Sequence, residues 1–331
     1  MKIILSLGLI LFGIGSFAKE DKTASIEKFI QQNKKVLVHV HANWCPSCKA
    51  QKKILEGISL SNFKLLEVDF DSDKEFLKKN KVFQQSMLIA FNNGKETARV
   101  FGITQKEKIM EFTDKNFNYS LQAVIDQKRA GSQIPSEARM TMEQATDKLR
   151  KSGIIDNAKK KGDTYIDFSL PNVDGKKVTL SEELKKGPII LTFYRGGWCP
   201  YCNLQLKAYQ DHLEQFEAAG GQLIAVSPET MESGESTIDK NDLKFKILSD
   251  NLNKEARKYG LVFQLDEELK EVYLKFGLDL EKNQGNDSWE LPIPATYVIN
   301  KDGKIVYSFL NVDYVQRAEP ADIIKALNSL K

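Results

Sequence analysis

The chain has 331 residues, 41% of them hydrophobic and 28% charged, and its 48 basic and 45 acidic side chains leave a formal net charge of +3. That length is enough for two domains, each with its own core. The near balance of interspersed charges excludes electrostatic binding to nucleic acid or to a membrane surface, and lysine runs such as Lys159-Lys160-Lys161 read as a solvated face.

Residues 1–18 read as a secretory signal. Lys2 supplies the positive end, 3–14 is apolar but short of the ~20 residues a spanning helix needs, and Ser16-Phe17-Ala18 sets small residues where a signal peptidase reads. Cleavage is expected after Ala18, with no cysteine beside it to carry a lipid. Export would put the protein where disulfides persist: the periplasm if the source is a diderm bacterium, otherwise outside the cell. Reducing activity there needs an external thiol electron donor, such as a membrane-embedded one.

Next, 25–33 has the spacing of an amphipathic helix. A strand at 36–40 leads into Trp44-Cys45-Pro46-Ser47-Cys48, and a basic helix continues over 48–58. A strand at 64–69 and a short helix at 73–80 follow. Strands at 88–91 and 99–101 are expected to pair around Asn92-Asn93-Gly94, since Asn-Gly suits a tight turn with positive φ. A helix at 104–116 closes a first domain, set at 19–117. From 118 to 161 the pattern is polar and mostly helical, broken at Gly131, Pro135 and Gly153; it reads as a helical linker. The second domain, 162–331, opens with strands at 167–170 and 176–180 around Asp174-Gly175. An apolar strand at 188–194 leads into Trp198-Cys199-Pro200-Tyr201-Cys202. One long helix over 199–219 is predicted to end at Gly220-Gly221. Strands at 222–227 and 246–248 and a helix at 252–259 come next, then an insertion at 267–291. Strands at 295–300 and 304–309 pair across Lys301-Asp302-Gly303, and a final helix at 320–330 starts on a proline. Strands alternating with helices predict an α/β protein of two domains, each a central mixed β-sheet flanked by helices.

The two tryptophan–cysteine phrases hold all four cysteines of the chain. The thiolate is the attacking species, and a cysteine at a helix start has its pKa lowered by the dipole and the free N–H groups. A second cysteine one turn later can resolve the mixed disulfide. By spacing alone Cys45 and Cys199 are the attacking thiols and Cys48 and Cys202 the resolving ones. A four-cysteine zinc site normally has its halves ~15–20 residues apart, far closer than Cys48 and Cys199, and His39, His41 and His212 add no ligand pair. The expectation is redox-active disulfides with no metal and no bound cofactor. A metal-binding or disulfide-stapled interaction module is the alternative of another class.

The stretch VLVHVHANWCPSCK (36–49), with Phe91-Asn92-Asn93-Gly94 and Phe101-Gly102, resembles thioredoxin over about 25–115. The resemblance implies a thioredoxin fold with Cys45 and Cys48 catalytic and Trp44 and Pro46 in support. Two positions depart from it. Ser86 stands where thioredoxins carry a cis-proline, and His39 stands in place of a buried acid, as a packed side chain or as a proton-transfer group. In the second domain GDTYIDFSLPNVDGKKVTL, LTFYRGGWCPYCNLQL, LSD and LPIPATYVIN resemble the peroxiredoxin-like branch of the alkyl hydroperoxide reductase/thiol-specific antioxidant (AhpC/TSA, redoxin) family, over 162–330. That resemblance implies a second thioredoxin fold and places Cys202 as the peroxide-reducing thiol and Cys199 as the resolving one. The thioredoxin pattern implies the reverse order, and both orders stay open at this point. Where the family's stabilising arginine is expected, this chain has Pro294, which resembles a thioredoxin-type cis-proline. Arg195 is the candidate substitute, with Trp198 and Pro200 beside it; Arg317 is another, unless it pairs with Glu319. Trp289-Glu290 either lines the same mouth or packs in the core. The combined expectation is an exported thiol–disulfide oxidoreductase. Its first domain passes electrons to the second, which reduces protein disulfides or peroxides.

Overall fold

The computed structural model describes residues 22–57, 63–117 and 120–331; the expected signal segment lies outside them. Two compact units divide the chain. One holds 22–52 and 63–103 of the described residues, the other 53–57, 104–117 and 120–331.

The first unit runs α1 (Lys22–Gln32), β1 (Lys35–His41), the start of α2 (Pro46–Gly57), β2 (Lys64–Asp69), α3 (Lys74–Lys79), β3 (Met87–Asn92) and β4 (Lys95–Phe101). Its sheet has the order β2-β1-β3-β4, with β1 parallel to β2 and antiparallel to β3. The five interior residues of β1 are all buried, as a strand covered on both faces requires. Val36, Val38 and Val40 pack with Ile26 and Ile30 of α1 and Phe76 of α3, while the alternation of the strand turns His39 to the opposite face. The expected hairpin forms between β3 and β4. Its two-residue turn is Asn93-Gly94, with φ of 49° and 76°, the doubly positive geometry that matches the twist of paired strands.

The second unit continues with α4 (Lys106–Phe117), α5 (Leu121–Ala130), α6 (Ser136–Lys151), β5 (Ser169–Pro171), β6 (Lys177–Thr179), α7 (Leu180–Lys186) and β7 (Ile189–Phe193). Then come α8 (Pro200–Asp211), α9 (Leu213–Ala218), β8 (Gln222–Ser227), α10 (Met231–Asn241), β9 (Lys246–Ser249), α11 (Lys254–Lys258) and β10 (Val262–Gln264). The unit closes with α12 (Glu267–Lys275), α13 (Leu280–Gln284), β11 (Glu290–Pro292), β12 (Ala295–Ile299), β13 (Ile305–Leu310) and α14 (Pro320–Asn328). The main sheet has the order β13-β12-β7-β8-β9. The β7, β8 and β9 strands are parallel, and β12 runs antiparallel to both neighbours. The predicted long helix breaks at His212 (φ −102°, ψ 8°). There the imidazole Nδ1 meets the Ala208 carbonyl at 2.7 Å and competes for the acceptor that the helical ladder uses, a recognised cause of kinks. The insertion forms α12 and α13, and β11 at its end pairs with β10. The polar stretch before the second domain is helical as expected, and Leu121 and Ile125 of α5 are buried in the same core as Cys199 and Cys202.

Candidate functional site

Each cysteine pair sits just past the end of its sheet's central strand, β1 or β7, where a helix begins; crevices outside strand ends are where such sheets place their chemistry. In the first unit Cys45 and Cys48 form a disulfide with Cα atoms 5.3 Å apart. Pro46 opens α2, and the Cys48 N–H donates to Cys45 Sγ at 3.1 Å. Trp44 is 60% exposed, with its indole N–H donating to Asp71 at 2.8 Å. His39 is fully buried, and neither ring nitrogen has a hydrogen-bond partner; Glu67 Oε1 lies 4.0 Å from Nδ1. Burial, with the neighbouring His41, pushes its pKa down to about 4, so the imidazole is neutral at physiological pH. Ser86 precedes β3 with φ of +62°. Its N–H donates to the Val40 carbonyl at 2.9 Å, and its hydroxyl donates to Gln51 at 3.2 Å. Proline can supply neither that φ nor that donor, which accounts for its absence here.

The second pair is unoxidised and lies deeper. Cys199 is 1% exposed and Cys202 fully buried. Cys199 caps the start of α8, the exposed Pro200 is its first residue, and Cys202 lies in its first turn. A guanidinium N–H of Arg317 donates to Cys202 Sγ at 3.4 Å. Arg317 is itself 3% exposed and is steadied by the Tyr314 carbonyl at 2.8 Å and by Gln205. Gln205 in turn donates to Thr192, Tyr209 and Thr296 at 3.0–3.2 Å, so the arginine is seated on a buried polar network tied to β7 and β12. Glu319 is not its partner: that carboxylate accepts from Ser120 and from the Leu121 and Gln122 N–H groups at the start of α5.

Arg195 is also buried. Its guanidinium carbon stands 4.5 Å from the Tyr314 ring centre, 5.0 Å from Trp198 and 5.8 Å from Tyr273, and it donates to the Tyr273 hydroxyl. Burial opposes a Cys202 thiolate, but the hydrogen bond from Cys199 and the charges of Arg317 and Arg195 outweigh it and hold the Cys202 thiol well below its ordinary pKa. Burial and the hydrogen bond to Cys202 push the Cys199 thiol well above its own. The pair is therefore one thiolate, Cys202, accepting from one thiol, Cys199.

Pro294 lines an apolar cavity of about 30 Å³ together with Arg195, Tyr273 and Tyr314, but the expected cis bond is absent, since all described peptide bonds are trans. Just before it, the Ile293 N–H donates to the Leu261 carbonyl at 2.8 Å. Trp289 packs among Leu265, Leu269 and Leu291 and donates to Glu281 at 2.7 Å; it is a core residue. Glu229 had no sequence signal. It is 2% exposed, accepts from the Gly197 N–H at 2.9 Å, and is pushed up to about 7 by burial, with the Cys202 thiolate adding to that against the Gly197 N–H.

Residues 161–308 match the family model described as AhpC/TSA family, and residues 17–115 match that of thioredoxin. The chain is 30% identical over 183 residues to peroxiredoxin Q, chloroplastic, of Sedum lineare, covering 55% of this chain and 85% of that protein. The crystal structure of peroxidoxin BcpB from Mycobacterium tuberculosis aligns with 52% of this chain and 98% of its own, at 20% identity and a TM-score of 0.42. That of Trxlp from Edwardsiella tarda EIB202 aligns with 27% of this chain and 90% of its own, at 33% identity and a TM-score of 0.25.

Proposed function

The chain belongs to the AhpC/TSA family and carries a thioredoxin domain ahead of its AhpC/TSA domain, and on that premise we propose that this oxidoreductase is a thiol peroxidase in which Cys202 attacks the peroxide and Cys199 resolves. The observation that carries this reading is the Arg317 guanidinium on Cys202 Sγ at 3.4 Å. A buried thiolate needs a fixed cation, and Cys202 has one. The Cys202 thiolate attacks one peroxide oxygen and the O–O bond breaks. The other oxygen leaves as hydroxide or alkoxide and takes a proton, and Cys202 is left as a sulfenic acid. Cys199 then displaces its oxygen as water and the Cys199–Cys202 disulfide forms. A Cys199→Ser protein treated with peroxide should be labelled at Cys202 by a sulfenic-acid reagent. An unlabelled Cys202 rules this order out.

Returning that disulfide to two thiols takes two electrons. The Cys45–Cys48 pair is the source we assign, fed in turn by an external thiol donor. The fusion supports this relay, because a tethered reductant acts at an effective concentration of about a millimolar. Changing Cys45 and Cys48 together to Ser should abolish recycling by a protein dithiol donor; unchanged recycling sinks the relay. We read 1–18 as the export signal and the periplasm of a diderm bacterium as the place of action. A secreted mature chain beginning at Lys19 is the expected result of N-terminal sequencing.

A further inference from the structure

Glu229 is a buried carboxylate that the peroxide chemistry above does not use. It follows β8 through Ser227-Pro228, and its side chain reaches across to the turn that carries the cysteines. That turn is clasped from two sides. The Gly197 N–H is held by Glu229 at 2.9 Å, and the Gly197 carbonyl accepts from Asn203 at 2.7 Å and from Lys240 at 3.5 Å. No side chain fits at either glycine. A Cβ on Gly197 would lie 1.9 Å from the Thr237 hydroxyl, and one on Gly196, whose φ is +149°, would lie 2.9 Å from Glu229 Oε1. The Gly196 carbonyl in turn accepts the Cys199 N–H at 3.1 Å. Displacing the Gly196–Gly197 turn therefore displaces the resolving cysteine.

We propose that Glu229 is a positioning residue of the peroxide-reducing centre, fixing the turn before Cys199 through the Gly197 N–H while its negative charge limits how readily Cys202 becomes a thiolate. The inference rests on Cys202 being the peroxide-reducing thiolate. The titratable groups facing Glu229 are Cys202 from α8, Tyr194 at the end of β7 and Lys240 from α10; Ser227 and Ser249, from β8 and β9, are neutral. One cation thus faces two groups that both ionise to anions. With Arg317 committed to Cys202, the carboxylate is held by a peptide N–H and titrates against the thiolate. Above about pH 7 its charge opposes Cys202; below it that opposition fades.

Glutamine and alanine separate the two roles, because Gln keeps an acceptor for the Gly197 N–H and drops the charge, whereas Ala drops both. In a Cys45→Ser/Cys48→Ser background, E229Q should move the thiolate titration midpoint of Cys202 down by about one pH unit. E229A should slow closure of the Cys199–Cys202 disulfide after one peroxide equivalent about tenfold or more, and E229Q should recover most of that loss. An unmoved midpoint in E229Q overturns the electrostatic role; equal closure rates in E229A and wild type overturn the positioning role. The midpoint is read without peroxide, so it tests Glu229 even if the unmutated protein proves inert toward peroxides. If E229A does not fold, E229Q alone decides the charge.

Discussion

Arg317→Met removes the guanidinium from Cys202 and leaves most of the side-chain volume in place. At 3.4 Å and an effective dielectric of about 20, a unit charge pair is worth at most about 5 kcal/mol. Hydrogen bonds to charged groups return roughly 1.5–3 kcal/mol net, and that lower figure governs here because Arg195 stays in place as a second cation. One pH unit corresponds to about 1.4 kcal/mol, so the Cys202 midpoint should rise by about one to two units. The peroxide rate constant at neutral pH should fall about ten- to a hundredfold. Both are measurable on reduced Cys45→Ser/Cys48→Ser protein, by ultraviolet thiolate absorbance against pH and by single-turnover peroxide consumption. Arg317→Lys should fall in between, since an ammonium keeps the charge but not the fork that also holds Tyr314 and Gln205. The reasoning fails if Arg317→Met leaves the midpoint where it was and Arg195→Met moves it, because the thiolate would then belong to the other guanidinium.

Two further outcomes concern the first unit. His39 titrates near 4 when folded against ~6.5 unfolded, so the unfolded chain binds the extra proton between those values. Its contribution is full above about pH 6.5, shrinks as pH falls and is gone below about 4, up to about 3 kcal/mol in all. Hydrogen-exchange protection of β1 should weaken over that window, and His39→Leu should flatten the loss; an equal loss in the variant assigns it elsewhere. Ser86→Pro should cost about 3 kcal/mol or more, because proline cannot take a φ of +62° or donate to Val40. Thermal unfolding at the wild-type temperature would falsify that account.

What was legible in the sequence was local. Asn93-Gly94 announced its own turn, and each cysteine phrase lay between an apolar strand and a helix, where period and punctuation suffice. The misreadings involved groups brought together from far along the chain. Arg317 lies 115 residues beyond Cys202 on the segment after β13, and only the folded sheet shows that it meets the thiol rather than its near neighbour Glu319. Pro294 mimicked a cis-proline by its place before a strand, yet its bond is trans. The break at His212 depends on one ring nitrogen finding the Ala208 carbonyl, which helix propensity does not report. Glu229 carried no motif; its meaning comes from burial against the Gly197 N–H.

The clasp between Glu319 and α5 bears on how this gene can be cut. Its carboxylate holds Ser120 Oγ at 2.9 Å and the Leu121 and Gln122 N–H groups at 2.7 and 2.9 Å, and Glu319 stands two residues from Arg317. A fragment begun at 162, where the sequence resemblance starts, would strip that partner away and expose the seat of Leu121 and Ile125 in the core around both cysteines. The smallest shuffling unit that keeps the arginine anchored therefore begins upstream of Ser120, in what the sequence alone presents as a spacer.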